Sequence, residues 1–371
     1  MSNAMDIVAE ARRSVELLET HWILPWYGGA GAERVWGHPS VKLMLALPPA
    51  VFRDTAELLL RERSFALHGI GIHLINARKA VEFAPAIREL LAGDDSVQVK
   101  CLAAAALGGL GLTEASLAAL GSIPGGAHPE VKKAAILAFR VARHPAAAPI
   151  VGVWLGRDGE DEGVKIAAAA ALADIGGDDA VNALVAVIEN PNEPDNARAA
   201  VAEALGRVGG VAAELALIAA SEAGRPWVRA KAILGLGVLA AVRHEARLIA
   251  ATNETEPWMI RQHAVDAMSR GGGDLSAKKI VDLLEDKEPR IRAEAAGAIG
   301  RRGLKEALPA LHRCLSDADL NVRIQATQSV ARITQVDLGL EDIAGRGYLD
   351  QARLEAAIRK AKTLTEVPPK P

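Results

Sequence analysis

A basic residue returns along this chain every 31 to 33 positions, at Lys100, Lys132, Lys165, Arg198, Arg229, Arg261, Arg292 and Arg323. Each is framed in the same way. The residue before it is Val99, Val131, Val164, Ala197, Val228, Ile260, Ile291 or Val322. Three positions after it stands Ala, except at Val201, and seven after it come Leu107, Phe139, Leu172, Leu205, Leu236, Met268, Ile299 and Val330. Apolar residues at these three offsets line one stripe of a helix with 3.6 residues per turn. Gly111, Gly176, Gly209, Gly272 and Gly303 follow, where a left-handed residue is expected to end each helix. A second amphipathic segment comes next, as in Lys305–Ser316. One helix pair cannot bury its own stripe, so such pairs must stack on one another. The expected fold is all-α: an α-solenoid of about ten helix pairs.

This pattern resembles the HEAT-repeat family, and within it the short repeats first named for phycobilisome lyases, over Pro39 to Thr334. The resemblance implies a right-handed superhelix in which the cation-bearing helices line the concave layer. It also implies that an Asp in the turn within each pair binds the cation from repeat to repeat and braces the stack. Asp94, Asp286 and Asp317 stand six residues before their cation. Asn192 and Gly126 hold that place before Arg198 and Lys132, so an incomplete ladder is expected.

The chain divides accordingly. Residues 1–4 read as a cloning scar ahead of Met5, and 5–38 as an N-terminal helical cap with an aromatic, Gly-rich loop. Residues 39–93 are worn repeats, 94–336 eight regular ones, 337–364 a C-terminal helical cap, and 365–371 a disordered tail. Half of the residues are hydrophobic and only 3% aromatic, which suits a core of Ala, Leu and Val. With 43 basic against 46 acidic residues and a net charge of −3, a dedicated nucleic-acid binder is disfavoured. Two cysteines, Cys101 and Cys314, cannot form a disulfide framework and point to a reducing, cytoplasmic setting. No apolar run reaches the length of a membrane span.

A search for chemistry returns little. Gly235–Ala240 reads GLGVLA, a poor copy of a dinucleotide fingerprint that lacks the preceding strand. His68 and His73 are five apart, on different helical faces, and His244–Glu245 is a lone pair where HEAT-like metal hydroxylases need several. No catalytic residue, metal or cofactor is expected. The alternative is a HEAT-like enzyme or subunit, resembling a phycobilin lyase or a DNA glycosylase.

Binding is the function the pattern favours: a monomeric scaffold that takes a protein or peptide on its concave face. Solvent-side positions of the cation-bearing helices are small or apolar early, at Leu102, Gly108, Gly109, Ile166 and Ala170. They are charged later, at Glu203, Lys231, His263, Asp266 and Glu294, and in the row Arg207, Arg270, Arg301 and Arg332. Trp227 and Trp258 each follow a proline just before Arg229 and Arg261, and Trp with Arg is the pairing most enriched where binding energy concentrates. Trp22, Trp26 and Trp36 of the N-terminal loop complete the candidate set.

Overall fold

The computed structural model describes residues 39–62, 65–93, 96–222, 225–339 and 351–365, together with helical positions 6, 7 and 9. The aromatic loop with Trp22, Trp26 and Trp36, Asp94, and the tail beyond Thr365 lie outside the described residues. Among the described residues the chain is built of α-helices and short 3-10 turns with no strand. It divides into two compact units, Met1–Ala183 and Leu184–Pro371.

The first unit holds α1 (Pro39–Leu45), α2 (Pro49–Arg61), α3 (Phe65–Ala77), α4 (Ala84–Ala92), α5 (Val97–Leu110), α6 (Glu114–Gly121), α7 (Pro129–Ala142), α8 (Ala148–Leu155) and α9 (Glu162–Ile175). Helix α10 (Asp178–Glu189) spans the boundary. The second unit holds α11 (Asp195–Val208), α12 (Val211–Glu222), α13 (Pro226–Ala240), α14 (Glu245–Ala250), α15 (Trp258–Ser269), α16 (Asp274–Asp282), α17 (Pro289–Arg302), α18 (Leu308–Cys314), α19 (Leu320–Thr334) and α20 (Gln351–Thr365). The odd-numbered helices from α5 to α19 carry the periodic cation and are called ladder helices below.

Ladder helices pack on one another in sequence, α5 on α7 on α9 in the first unit and α11 through α19 in the second. Helices α4, α8, α12, α14, α16 and α18 each pack against the ladder helix that follows them. Every apolar position at −1, +3 and +7 from the cation is at most 3% exposed. Helix α20 buries Leu354, Ala357 and Ala361 at helical spacing and packs on α18 and α19, closing the last repeat. Arg353, Arg359 and Lys360 stay on its exposed side.

Small residues set how closely ladder helices approach. The residue eight after one cation faces the residue six after the next: Gly108 meets Ala138, Gly206 meets Gly235, Gly237 meets Ala267, and Gly300 meets Ser329. A Cβ at Gly237 would lie 2.4 Å from that of Ala267, so the backbones touch. Gly235 and Gly237 are therefore packing residues, and the fingerprint-like GLGVLA is where α13 packs closely on α11 to one side and α15 to the other. Gly108 is buried in the same way, which corrects its expected place on the solvent side.

Helix ends follow local chemistry. Ser96, His128, Asp161 and Asp319 accept backbone N–H bonds at the starts of α5, α7, α9 and α19. Gly303 ends α17 in the left-handed region, while Gly111, Gly176 and Gly209 have positive φ with extended ψ. Gly272 departs from the expectation: its φ is not positive, and a Cβ there would lie 2.4 Å from Ser276 Oγ. That glycine answers to crowding. Without a glycine there, α7 and α19 end on Arg143 and Gln335 in left-handed conformations, while α13 ends on Ala241 in the right-handed region.

Candidate functional site

The periodic cations brace the stack from both sides. Lys132, Arg229, Arg261 and Arg292 each reach back to a backbone carbonyl at or just after the end of their own pair's first helix and forward to a carboxylate in the next turn. Lys132 donates to Gly125 O at 2.9 Å and to Glu160. Arg229 donates to Ser221 O at 3.2 Å and to Glu256 Oε1 at 2.8 Å. Arg261 donates to Thr252 O at 3.1 Å and to Asp286 Oδ2. Arg292 grips Asp317 with two N–H groups, each at 2.8 Å, and Asp286 O at 2.8 Å with a third. The Arg292 guanidinium holds the Asp317 carboxyl below the usual carboxylate range. Arg198 and Arg323 use backbone carbonyls, of Ile188 and of Asp317 with Ala318.

This ladder is fuller than an Asp six residues ahead of the cation predicts. Glu160 and Glu256 stand five residues ahead, and the longer side chain makes up the missing position. A rule allowing either Asp at six or Glu at five finds both in the sequence. Lone motifs are absorbed as well. Glu245 Oε1 accepts the Ser276 N–H at 2.7 Å, and that bond is the main cause lowering its pKa. It caps α16, which has no side-chain cap of its own, from the preceding repeat. Cys101 and Cys314 are buried and form no disulfide, and burial pushes the Cys314 thiol up to about 11.

The exposed side of the ladder helices differs between the two units. In the first, Leu137, Val141 and Ile166 are exposed, and Leu102, Gly109 and Ala170 are half-buried. In the second, charged and aromatic side chains interlock across α13, α15 and α17. Arg270 donates to Asp266 Oδ2 at 3.0 Å. Arg301 donates to Glu294 Oε1 at 2.6 Å and Ser269 Oγ at 3.0 Å, and lies 3.6 Å from Asp266. Gln262 Nε2 reaches the other Glu294 oxygen at 3.1 Å. Arg270 and Arg301, the two middle members of the arginine row, are thus paired where they stand, and all four members are exposed.

The two tryptophans sit above this network. Trp227 is 36% and Trp258 41% exposed, against 3% for Trp154. Trp227 meets the His263 ring of α15 edge-on at 5.6 Å, and Lys231 Nζ lies 5.1 Å from its centroid. Burial lowers the His263 pKa, and its Nδ1 bonds Met259 O at 2.8 Å. Trp258 carries the Arg290 guanidinium of α17 at 4.3 Å. Arg229 and Arg261, expected beside the rings, are instead held by the ladder, and Arg261 is 6% exposed. Arg290, Lys231 and His263 are the neighbours that a search for Trp and Arg close in sequence does not single out.

Stacked helix pairs braced by a periodic cation define an α-solenoid. HEAT repeats are recognised in residues 117–206, 154–222 and 277–344, and the chain is a HEAT-repeat α-solenoid. No curated protein sequence matches it. Among solved structures it resembles Kap121p at a TM-score of 0.56 and 13% identity, over 98% of this chain and 47% of that one. Kap121p bound to Nup53p gives 0.54 and 12%, with the same coverage, so this chain spans about half the length of that protein. The CpcE–CpcF complex of phycocyanin lyase from Nostoc sp. PCC7120 matches at only 0.40, with 20% identity over 60% of this chain and 93% of that one.

Proposed function

We propose that the chain is a non-catalytic scaffold that binds a partner polypeptide on the exposed face of its ladder helices, anchored at Trp227 and Trp258. One observation carries this. Trp154 and the phenylalanines Phe52, Phe83 and Phe139 are buried, whereas these two tryptophans remain over a third exposed on adjacent helices. A large ring kept half in water costs apolar burial that a partner can recover. The fold supports such a use: structures sharing it include Kap121p bound to Nup53p and to Ste12p. Arg207, Arg270 and Arg301 extend the same face, and the pairing of Arg270 with Asp266 and of Arg301 with Asp266 and Glu294 holds part of it in place. Affinity capture with the wild-type chain and with Trp227→Ala/Trp258→Ala tests the proposal. A polypeptide held by the first and lost by the second supports it; equal retention by both places the interface elsewhere.

A further inference from the structure

The tryptophans also state what kind of polypeptide they suit. A ring face carries the negative part of the aromatic quadrupole and attracts cations, while its edge is positive. Here both rings already carry a cation of the chain itself, Lys231 over Trp227 and Arg290 over Trp258. A Lys or Arg from a partner would have to displace that cation and would meet its repulsion on approach. An anion at the ring edge meets the positive edge and the resident cation together.

Those resident cations are also the available ones. Arg261 is committed to Asp286 in a buried pair, and Arg229 to Glu256 at 2.8 Å. Among the described residues Lys231 pairs with Glu203, at 3.3 Å and itself more than half exposed, and Arg290 with Glu288, at 3.8 Å. Exposed pairs of this kind contribute little and give way to a better-placed carboxylate. His263 of α15 meets the Trp227 ring, and burial lowers its pKa, so the step between the two cations disfavours a further positive charge.

Resting on the scaffold reading above, we infer that Trp227–Lys231 and Trp258–Arg290 form a paired docking site for an acidic, apolar peptide segment. Packed helices lie roughly 10 Å apart, and an extended chain advances about 3.3 Å per residue. Side chains alternate faces along an extended chain, so a segment crossing α13, α15 and α17 presents a carboxylate on this face about every fourth residue, with an apolar side chain between each two against the rings. The chain's net charge of −3 argues against a nucleic acid as the anionic partner.

The test titrates the full chain with three synthetic peptides of about ten residues, alike except for Glu, Gln or Lys at every fourth position among leucines, and with a single-stranded oligothymidine of similar length. The Glu peptide is expected to bind about ten-fold or more tightly than the Lys peptide, and Lys231→Glu/Arg290→Glu to reverse that order. Both substitutions are at half-buried or exposed positions, and an unchanged melting curve confirms that the variant is folded. Equal binding of the Glu and Lys peptides, a preference that survives the charge reversal, tighter binding of the oligonucleotide, or no binding at all overturns the inference. If the Gln or Lys peptide binds best and Trp227→Ala/Trp258→Ala abolishes it, the acidic class falls while the scaffold reading stands. If the double tryptophan variant still captures the wild-type chain's polypeptide partner, the scaffold site itself falls.

Discussion

Arg261 and Arg301 belong to neighbouring ladder helices in one unit, and they show how two regions of the same surface differ. Along the ladder edge Arg261 is buried, its carboxylate comes from the next repeat, and a backbone carbonyl accepts from its Nε. Across the exposed face the cations lie partly in water and pair with Asp266, Glu294 or Glu203 at the surface. Removing one member of a buried pair strands a charge out of water, while removing one member of an exposed pair lets water replace it. The same ion-pair chemistry therefore braces the stack in one region and stays available in the other. Register along the helix decides which.

The sharpest contrast comes from the edge. Asp286→Ala leaves Arg261 buried without its carboxylate and removes the Asp286 Oδ1 acceptor of the Glu288 N–H. A loss of about 3–5 kcal/mol in urea unfolding is expected; a loss below about 1 kcal/mol would put the brace on the same footing as the surface pairs. Leu205→Ala, in the fully buried stripe of α11, should cost about 2–5 kcal/mol by the same assay. A change under about 0.5 kcal/mol would mean the stripe is not the core. Gly237→Val forces a side chain against Ala267 where the backbones touch, and about 1–3 kcal/mol of destabilisation is expected.

Acid separates the regions in another way. Arg292 depresses the Asp317 pKa, so the stabilisation from this pair is fully present above the unfolded carboxyl's value near 3.9 and is lost as pH falls through the lower folded value. Comparing urea midpoints at neutral and strongly acid pH, Asp317→Asn should flatten the acid loss relative to the wild type. An unchanged pH profile would remove Asp317 from the account. The smallest effect belongs to the face, where Glu203→Gln should shift stability by less than about 1 kcal/mol.

Much of this was legible before any coordinates. The helix periodicity named every buried position at −1, +3 and +7, because 3.6 residues per turn leaves no other face for them. Expected solvent positions such as Glu203, Arg207, Arg270 and Ile166 are exposed for the same reason. The ladder carboxylates were half legible: Asp286 and Asp317 fit a fixed offset, but Glu160 and Glu256 reach the same place from one residue later. Gly108 and Gly237 were not, since a glycine needed for close approach looks in sequence like one placed for solvent or for a turn. Arg290 was missed because its ring lies 32 residues earlier, on another helix, and only packing joins them.

The most direct test of the division between edge and face is the affinity of Trp227→Ala/Trp258→Ala for a polypeptide captured by the wild-type chain, read beside its thermal unfolding. The account predicts binding weakened by about 2 kcal/mol or more, with the melting temperature close to that of the wild type. Full affinity with a clear fall in melting temperature would contradict it, because the two rings would then belong to the brace.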